Sequence, residues 1–151
     1  MQGRKKILIV DDEEVNRRLL GAYFENDFAI YEASDGREAI RVIEQQGDSI
    51  AMILLDLIMP NLDGFGVLQY LNDYGYIGDV PVILITVDDA TEREEQAFDL
   101  GVSDFITKPF HPRIVQKRVH NVIDLFEGNR RLRYIIEEQN AMIYDNCVHM
   151  K

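Results

Sequence analysis

Four short apolar runs in this 151-residue chain each lead into residues with chemistry to offer. ILIV at 7–10 meets Asp11 and Asp12. MILLD at 52–56 ends in Asp56. VILIT at 82–86 ends in Thr86, and DFIT at 104–107 leads into Lys108 and Pro109. That is three carboxylates, one hydroxyl and one ammonium. Two carboxylates about 5 Å apart repel by roughly 3 kcal/mol at an effective dielectric near 20, so three ionised together need compensation. A hard cation supplies it, and Mg2+ suits a site with a few carboxylates, retained waters and phosphate oxygens. Lys108 adds a point charge and Thr86 a hydroxyl donor. Such a set fits a phosphoryl group in transfer, where positioning and electrostatics do most of the work. Asp56, alone at the end of the most apolar run, is the best candidate nucleophile for an acyl phosphate.

These residues can meet only if the runs are neighbouring strands that end on one edge. The sequence around them alternates between two periods. KILIV (6–10), FAIYEA (28–33), MILLD, VILIT and DFIT read as strands; KILIV suits cover on both faces, MILLD is the most apolar and VILIT reads as buried. Between them lie helical patterns. One spans Asp12 to Asn26. One follows Asp35-Gly36 and ends near Gly47. One carries Phe65, Leu68 and Leu71, and one runs from Thr91 to Leu100 with Gly101 as a left-handed cap. Pro112 suits the first turn of a last helix. The order βαβαβαβαβα predicts an α/β fold, a doubly wound parallel five-stranded sheet with helices on both faces. In such sheets functional groups gather at the carboxyl ends of the strands, near the switch in strand order.

The motifs ILIVDDEE, MILLDLIMPNLDGFGVL, VILITVDDA and DLGVSDFITKPF stand in the order and spacing of one family. From residue 4 to about 126 the sequence resembles the receiver domain of two-component response regulators. The resemblance implies a flavodoxin-like (βα)5 fold and Asp56 as phosphoacceptor. It implies a Mg2+ site with Asp12 as a direct ligand, Asp11 acting through water, Asp56, and the backbone carbonyl of Ile58. Thr86 and Lys108 would hold phosphoryl oxygens, and Thr86 and Phe105 would be the switch residues. A cis Lys108-Pro109 bond is also implied. The implied partner is a sensor histidine kinase or a phosphotransfer protein, and the implied role is a signalling module that catalyses only its own phosphorylation and dephosphorylation. The chain departs from the family at Val87, where a small residue is usual. Val87 is expected to narrow access to Asp56, and Asp88 to shape how water reaches it.

The alternative is a Mg2+-dependent aspartyl-phosphate phosphatase of the haloacid-dehalogenase type. That family places its nucleophile at the first strand end in an Asp-x-Asp motif, where this chain has Asp11-Asp12-Glu13. Other chemistry has little support. His111, His120 and His149 are not at metal-ligand spacing with acids or Cys147, and no glycine-rich phosphate cradle is present. The net charge of -11 argues against direct nucleic-acid binding. The single cysteine fits a reducing compartment. The apolar run after MQGRKK is too short for a signal-peptide core or a membrane span, so a cytoplasmic location without membrane insertion is expected.

The receiver is expected to occupy 1–126, with 127–151 a helical extension or linker. Counting in sevens gives Val115, Val122, Asn129, Ile136, Ile143 and Met150, with Arg118, Leu125, Leu132, Gln139 and Asn146 between them. This is an imperfect coiled-coil seam, and it predicts a homodimer through the C-terminal helix. The alternative is a bend at Gly128 that folds the tail back on its own domain. Such tails resemble the linkers that join receivers to diguanylate cyclase, phosphodiesterase or kinase output domains. An output domain beyond the tail and a stand-alone regulator are both compatible with the sequence.

Overall fold

The computed structural model describes residues 4–59, 61–87 and 91–149, with only the backbone described for Thr91 and for 145–149. Asp88 and Met150 lie outside the described residues.

The apolar runs form strands β1 (Lys6–Val10), β2 (Ala29–Ala33), β3 (Ile50–Asp56), β4 (Val82–Thr86) and β5 (Asp104–Thr107). All neighbours are parallel, in the order β2-β1-β3-β4-β5. Helices α1 (Glu14–Phe24), α2 (Gly36–Gln46), α3 (Gly64–Asp73), α4 (Thr91–Asp99) and α5 (Pro112–His149) supply the crossovers and the tail. The expected doubly wound sheet is therefore present. Its order reverses between β1 and β3, which opens a crevice where Asp11, Asp12 and Asp56 stand.

The strands' two-residue period divides the core. Leu8, Val10, Ile53, Leu55, Val82 and Leu84 face α2, α3 and α4, where Ile43, Leu68 and Ala97 meet them. Ile7, Ile9, Met52, Leu54, Ile83 and Ile85 face α1 and α5, where Leu20, Phe24, Val115 and Val119 meet them. Each fully buried Leu or Ile of this kind contributes about 1.5–3 kcal/mol relative to exposure. Both faces are covered, as the uninterrupted apolar runs require.

Helix ends follow local chemistry. Asp35 and Asp63 cap α2 and α3, accepting the N–H groups of Glu38 and Gly66 at 2.9 and 3.0 Å. A Cβ at Gly64 would run into the carbonyl of Asp56, so glycine lets α3 start against the end of β3. Gly101 has φ of 97°, the left-handed cap expected after α4. The first helix starts at Glu14, two residues later than expected, and its N-cap Glu13 makes no side-chain cap bond. Asp11 and Asp12 are thus left in the turn.

α5 runs unbroken through Gly128, and at 38 residues it is about 57 Å long. The first expected seam positions are spent on the domain itself. Val115 is buried against the sheet, and Arg118 donates to the Phe105 carbonyl at 2.7 Å and pairs with Asp104 at 3.3 Å. Farther along, Leu132, Ile136 and Ile143 are 59%, 54% and 60% exposed. No described helix is long and apolar enough to cross a membrane.

Candidate functional site

β1 delivers Asp11 to the crevice as a buried side chain. Its Oδ1 accepts the N–H of Glu13 at 2.9 Å, and its carbonyl accepts Arg17 Nη1 at 2.7 Å. Arg17, one turn into α1, also pairs with Glu32 on β2 at 3.2 Å. The turn is therefore held from both sides. Asp12 follows, exposed at the mouth of the cavity.

β3 delivers Asp56, whose Oδ1 accepts the N–H of Ile58 at 3.2 Å. Lys108, just past β5, reaches across β4. Its Nζ lies 3.2 Å from Asp11 Oδ2 and 3.3 Å from Asp56 Oδ2. The Lys108 backbone N–H donates to the Thr86 carbonyl at 2.9 Å, which ties the loop after β5 to the end of β4. The Lys108-Pro109 bond is cis, as the resemblance implies.

Electrostatics follow from this packing. Burial pushes the Asp56 carboxyl up to about 6; Lys108 pulls against that rise and Asp11 adds to it. Burial alone would lower Lys108, but the charges of Asp56 and Asp11 outweigh it and hold the ammonium above its ordinary value. One ammonium serves two carboxylates. Asp11 Oδ2 is fully buried, and the Lys108 ammonium 3.2 Å away, which it shares with Asp56, is what faces it among the described residues. A buried oxygen in that state is costly unless something else reaches it.

Asp11, Asp12 and Asp56 each place a carboxylate oxygen within 4.8 Å of the others, the one such group of metal-binding side chains among the described residues. Three oxygen donors, two of them sharing a single ammonium, suit a hard cation. Asp12, Glu13, Asp56, Ile58, Thr86, Val87 and Lys108 line one cavity of about 260 Å3. Thr86 is buried, and its hydroxyl donates to the Ile106 carbonyl at 3.4 Å. Val87 is half exposed at the rim. Phe105 lies apart from the cavity. Its ring meets Phe98 of α4 edge-on, 5.7 Å between centroids.

Residues 7–120 match the family described as the response regulator receiver domain. The chain belongs to that family. It is 41% identical to the transcriptional regulatory protein SrrA of Staphylococcus aureus over 95% of its own length. It spans 60% of that relative's length. Among solved structures it resembles a putative two-component response regulator/GGDEF domain protein, at 29% identity and a TM-score of 0.76. That match covers 82% of this chain and 51% of the other. It also shares the fold of the chemotaxis protein CheY4 of Vibrio cholerae, with a TM-score of 0.72 at 23% identity, covering 80% of this chain and 99% of that one. The family is a phosphoacceptor signalling module, which decides against the phosphatase alternative.

Asp11, Asp12, Asp56, Ile58, Thr86 and Lys108 thus meet at one sheet edge, while Phe105 lies on β5 beside Leu84, two residues short of the position that pairs with Thr86. Three residues at the site escaped sequence reasoning. Glu13 and Arg93 line the cavity, and Arg17 anchors the Asp11 carbonyl. Arg93 carried a signal, as the one cation in TEREEQAFD. Arg17 carried none, since its partner Glu32 is 15 residues away.

Proposed function

We propose that Asp56 is the phosphoacceptor of this receiver and that a sensor histidine kinase or phosphotransfer protein is its donor. An Asp56 oxygen attacks the phosphorus of a phosphohistidine. The N–P bond breaks, and the imidazole leaves with its electron pair. Lys108 steadies the phosphoryl oxygens, and Thr86 exchanges its long bond to Ile106 for one to the phosphoryl group. Asp11, Asp12, Asp56 and the Ile58 carbonyl would hold Mg2+, which would neutralise charge on the phosphoryl oxygens. The observation that carries this reading is Lys108 set between Asp11 and Asp56, in contact with both. The module catalyses only its own phosphorylation and dephosphorylation. Val87 at the rim narrows access to the acyl phosphate.

The signal leaves through Phe105, whose ring meets α4 and whose carbonyl is held by Arg118 of α5. Residues 1–126 form the receiver, and 127–151 extend it as a linker. The tail pairs with a second copy in a parallel coiled coil, with Asn129 setting register. Exposed Leu125, Leu132, Ile136 and Ile143 support this. The output is a further domain or a separate partner. The greater length of SrrA and the GGDEF protein supports a further domain.

Beryllofluoride with Mg2+ tests the site. NMR shifts should spread from Asp56 to Thr86 and Phe105 and vanish in Asp56→Asn. Equal shifts in the variant would refute the assignment.

A further inference from the structure

The cavity beside Asp56 has a second cation that the reading above does not use. Arg93 lines it from α4, together with Lys108, Asp12, Glu13, Asp56 and Thr86. The rest of α4 is acidic, with Glu92, Glu94, Glu95 and Asp99, so the helix turns its one positive side chain toward the carboxylate cavity. The position is costly for a cation. Arg93 sits in the first turn of α4, where the helix dipole disfavours positive charge. Arginine also differs from lysine here, since its planar fork can take two oxygens of a phosphoryl group at once.

We propose that Arg93 is a second phosphoryl-binding residue, which closes over the cavity mouth once Asp56 is phosphorylated. This rests on Asp56 being the phosphoacceptor. The cavity charges explain why Arg93 acts at that stage. Before phosphorylation, Lys108 touches two carboxylates. Addition of a phosphoryl group brings further negative oxygens to the same space, and Arg93 answers them. Its guanidinium then occupies the approach of water to phosphorus. Hydrolysis requires a water oxygen to form a bond to phosphorus while the bond to Asp56 Oδ breaks. Asp56 leaves as carboxylate, and a proton passes from the water to solvent. Arg93 slows that step by covering the approach. Because it belongs to α4, its capture also draws that helix toward Asp56 and moves Phe98 against Phe105.

The test is titration of the full chain with beryllofluoride at saturating Mg2+, and separately with Mg2+ alone, followed by NMR. Wild type is compared with Arg93→Gln and Arg93→Lys. Loss of one charge-assisted contact predicts roughly tenfold weaker beryllofluoride binding in Arg93→Gln, with partial recovery in Arg93→Lys. Mg2+ alone should bind the glutamine variant as well as wild type or better, since a nearby cation has gone. A structural role for Arg93 would weaken both titrations together and give no recovery by lysine, and that outcome overturns the proposal. Equal beryllofluoride affinity in wild type and Arg93→Gln overturns it as well, with the phosphoacceptor reading intact. Failure of wild type to bind beryllofluoride defeats that reading and this proposal with it.

Discussion

The hydroxyl of Thr86 donates to the carbonyl of Ile106 across the β4–β5 boundary, 3.4 Å away. Hydroxyl hydrogen bonds are usually about 2.7–2.8 Å, so this one is weak and easily exchanged. Thr86→Val keeps the shape and removes the hydroxyl. It should change stability by less than about 1 kcal/mol. Beryllofluoride-induced NMR shifts at Phe105 should nevertheless disappear. A variant that still transmits the shift would remove Thr86 from the switch.

Asp56 gives a pH dependence with a definite sign. Its folded pKa, about 6, lies above the ordinary value of 3.8. The native state therefore binds this proton more tightly than the unfolded chain does. Asp56 costs no stability below the unfolded value, and its cost grows as pH rises from about 4 and levels off above about 6. A shift of that size corresponds to at most roughly 3 kcal/mol. Asp56→Asn should therefore be more stable than wild type at pH 7.5 without Mg2+, and the gap should close toward pH 4. Denaturant midpoints across this range measure it. A gap that is flat with pH would contradict the burial of an ionising Asp56.

The strand ends were legible because each functional group directly follows its apolar run. VILIT and DFIT have the expected bounds as β4 and β5. β3 begins two residues earlier than MILLD, since Ile50 pairs with Lys6 across a register shift at Ala51, before Met52 pairs with Ile7. The groups that sequence missed act across long separations or from helix faces. Arg118 looked like a seam position by spacing, yet it holds Asp104 and Phe105, a contact that only the packing of α5 on β5 creates. The expected relief of repulsion at ILIVDDEE comes in part from Lys108, some hundred residues on in sequence but adjacent in space.

Lys108→Ala removes the ammonium that faces two buried carboxylates. Without Mg2+ it should lose about 1–3 kcal/mol at neutral pH, because Asp11 and Asp56 are left uncompensated. Mg2+ should restore most of that loss and bind more tightly than to wild type, as no lysine competes for the carboxylates. Binding of a metal to the native state alone adds about 1.4 kcal/mol at ten times its Kd. Thermal melts of both proteins with and without Mg2+ give all four values. Equal melting points for the two metal-free proteins would count against the pairing.

The tail can be tested at Gly128 and Asn129. Gly128 lies inside α5 with open space where a Cβ would stand. Gly128→Ala should stabilise the helix by about 1 kcal/mol and tighten self-association. Asn129→Val should tighten it further while loosening the choice of register and oligomer size. Light scattering over a wide concentration range, with a chain ending at Glu127 as reference, reads both. Masses that are equal in every version would show that the tail is not the dimerising element.

Covalent labelling tests the central claim most directly. The full chain is treated with acetyl phosphate and Mg2+, and intact mass is followed for wild type, Asp56→Asn and Asp11→Asn. The account predicts the addition of one phosphoryl group to wild type and none to Asp56→Asn. Asp11→Asn should label slowly, because its loss weakens the cation site and leaves the acceptor in place. Labelling that survives Asp56→Asn and is abolished in Asp11→Asn would contradict the account and place the nucleophile at the end of β1.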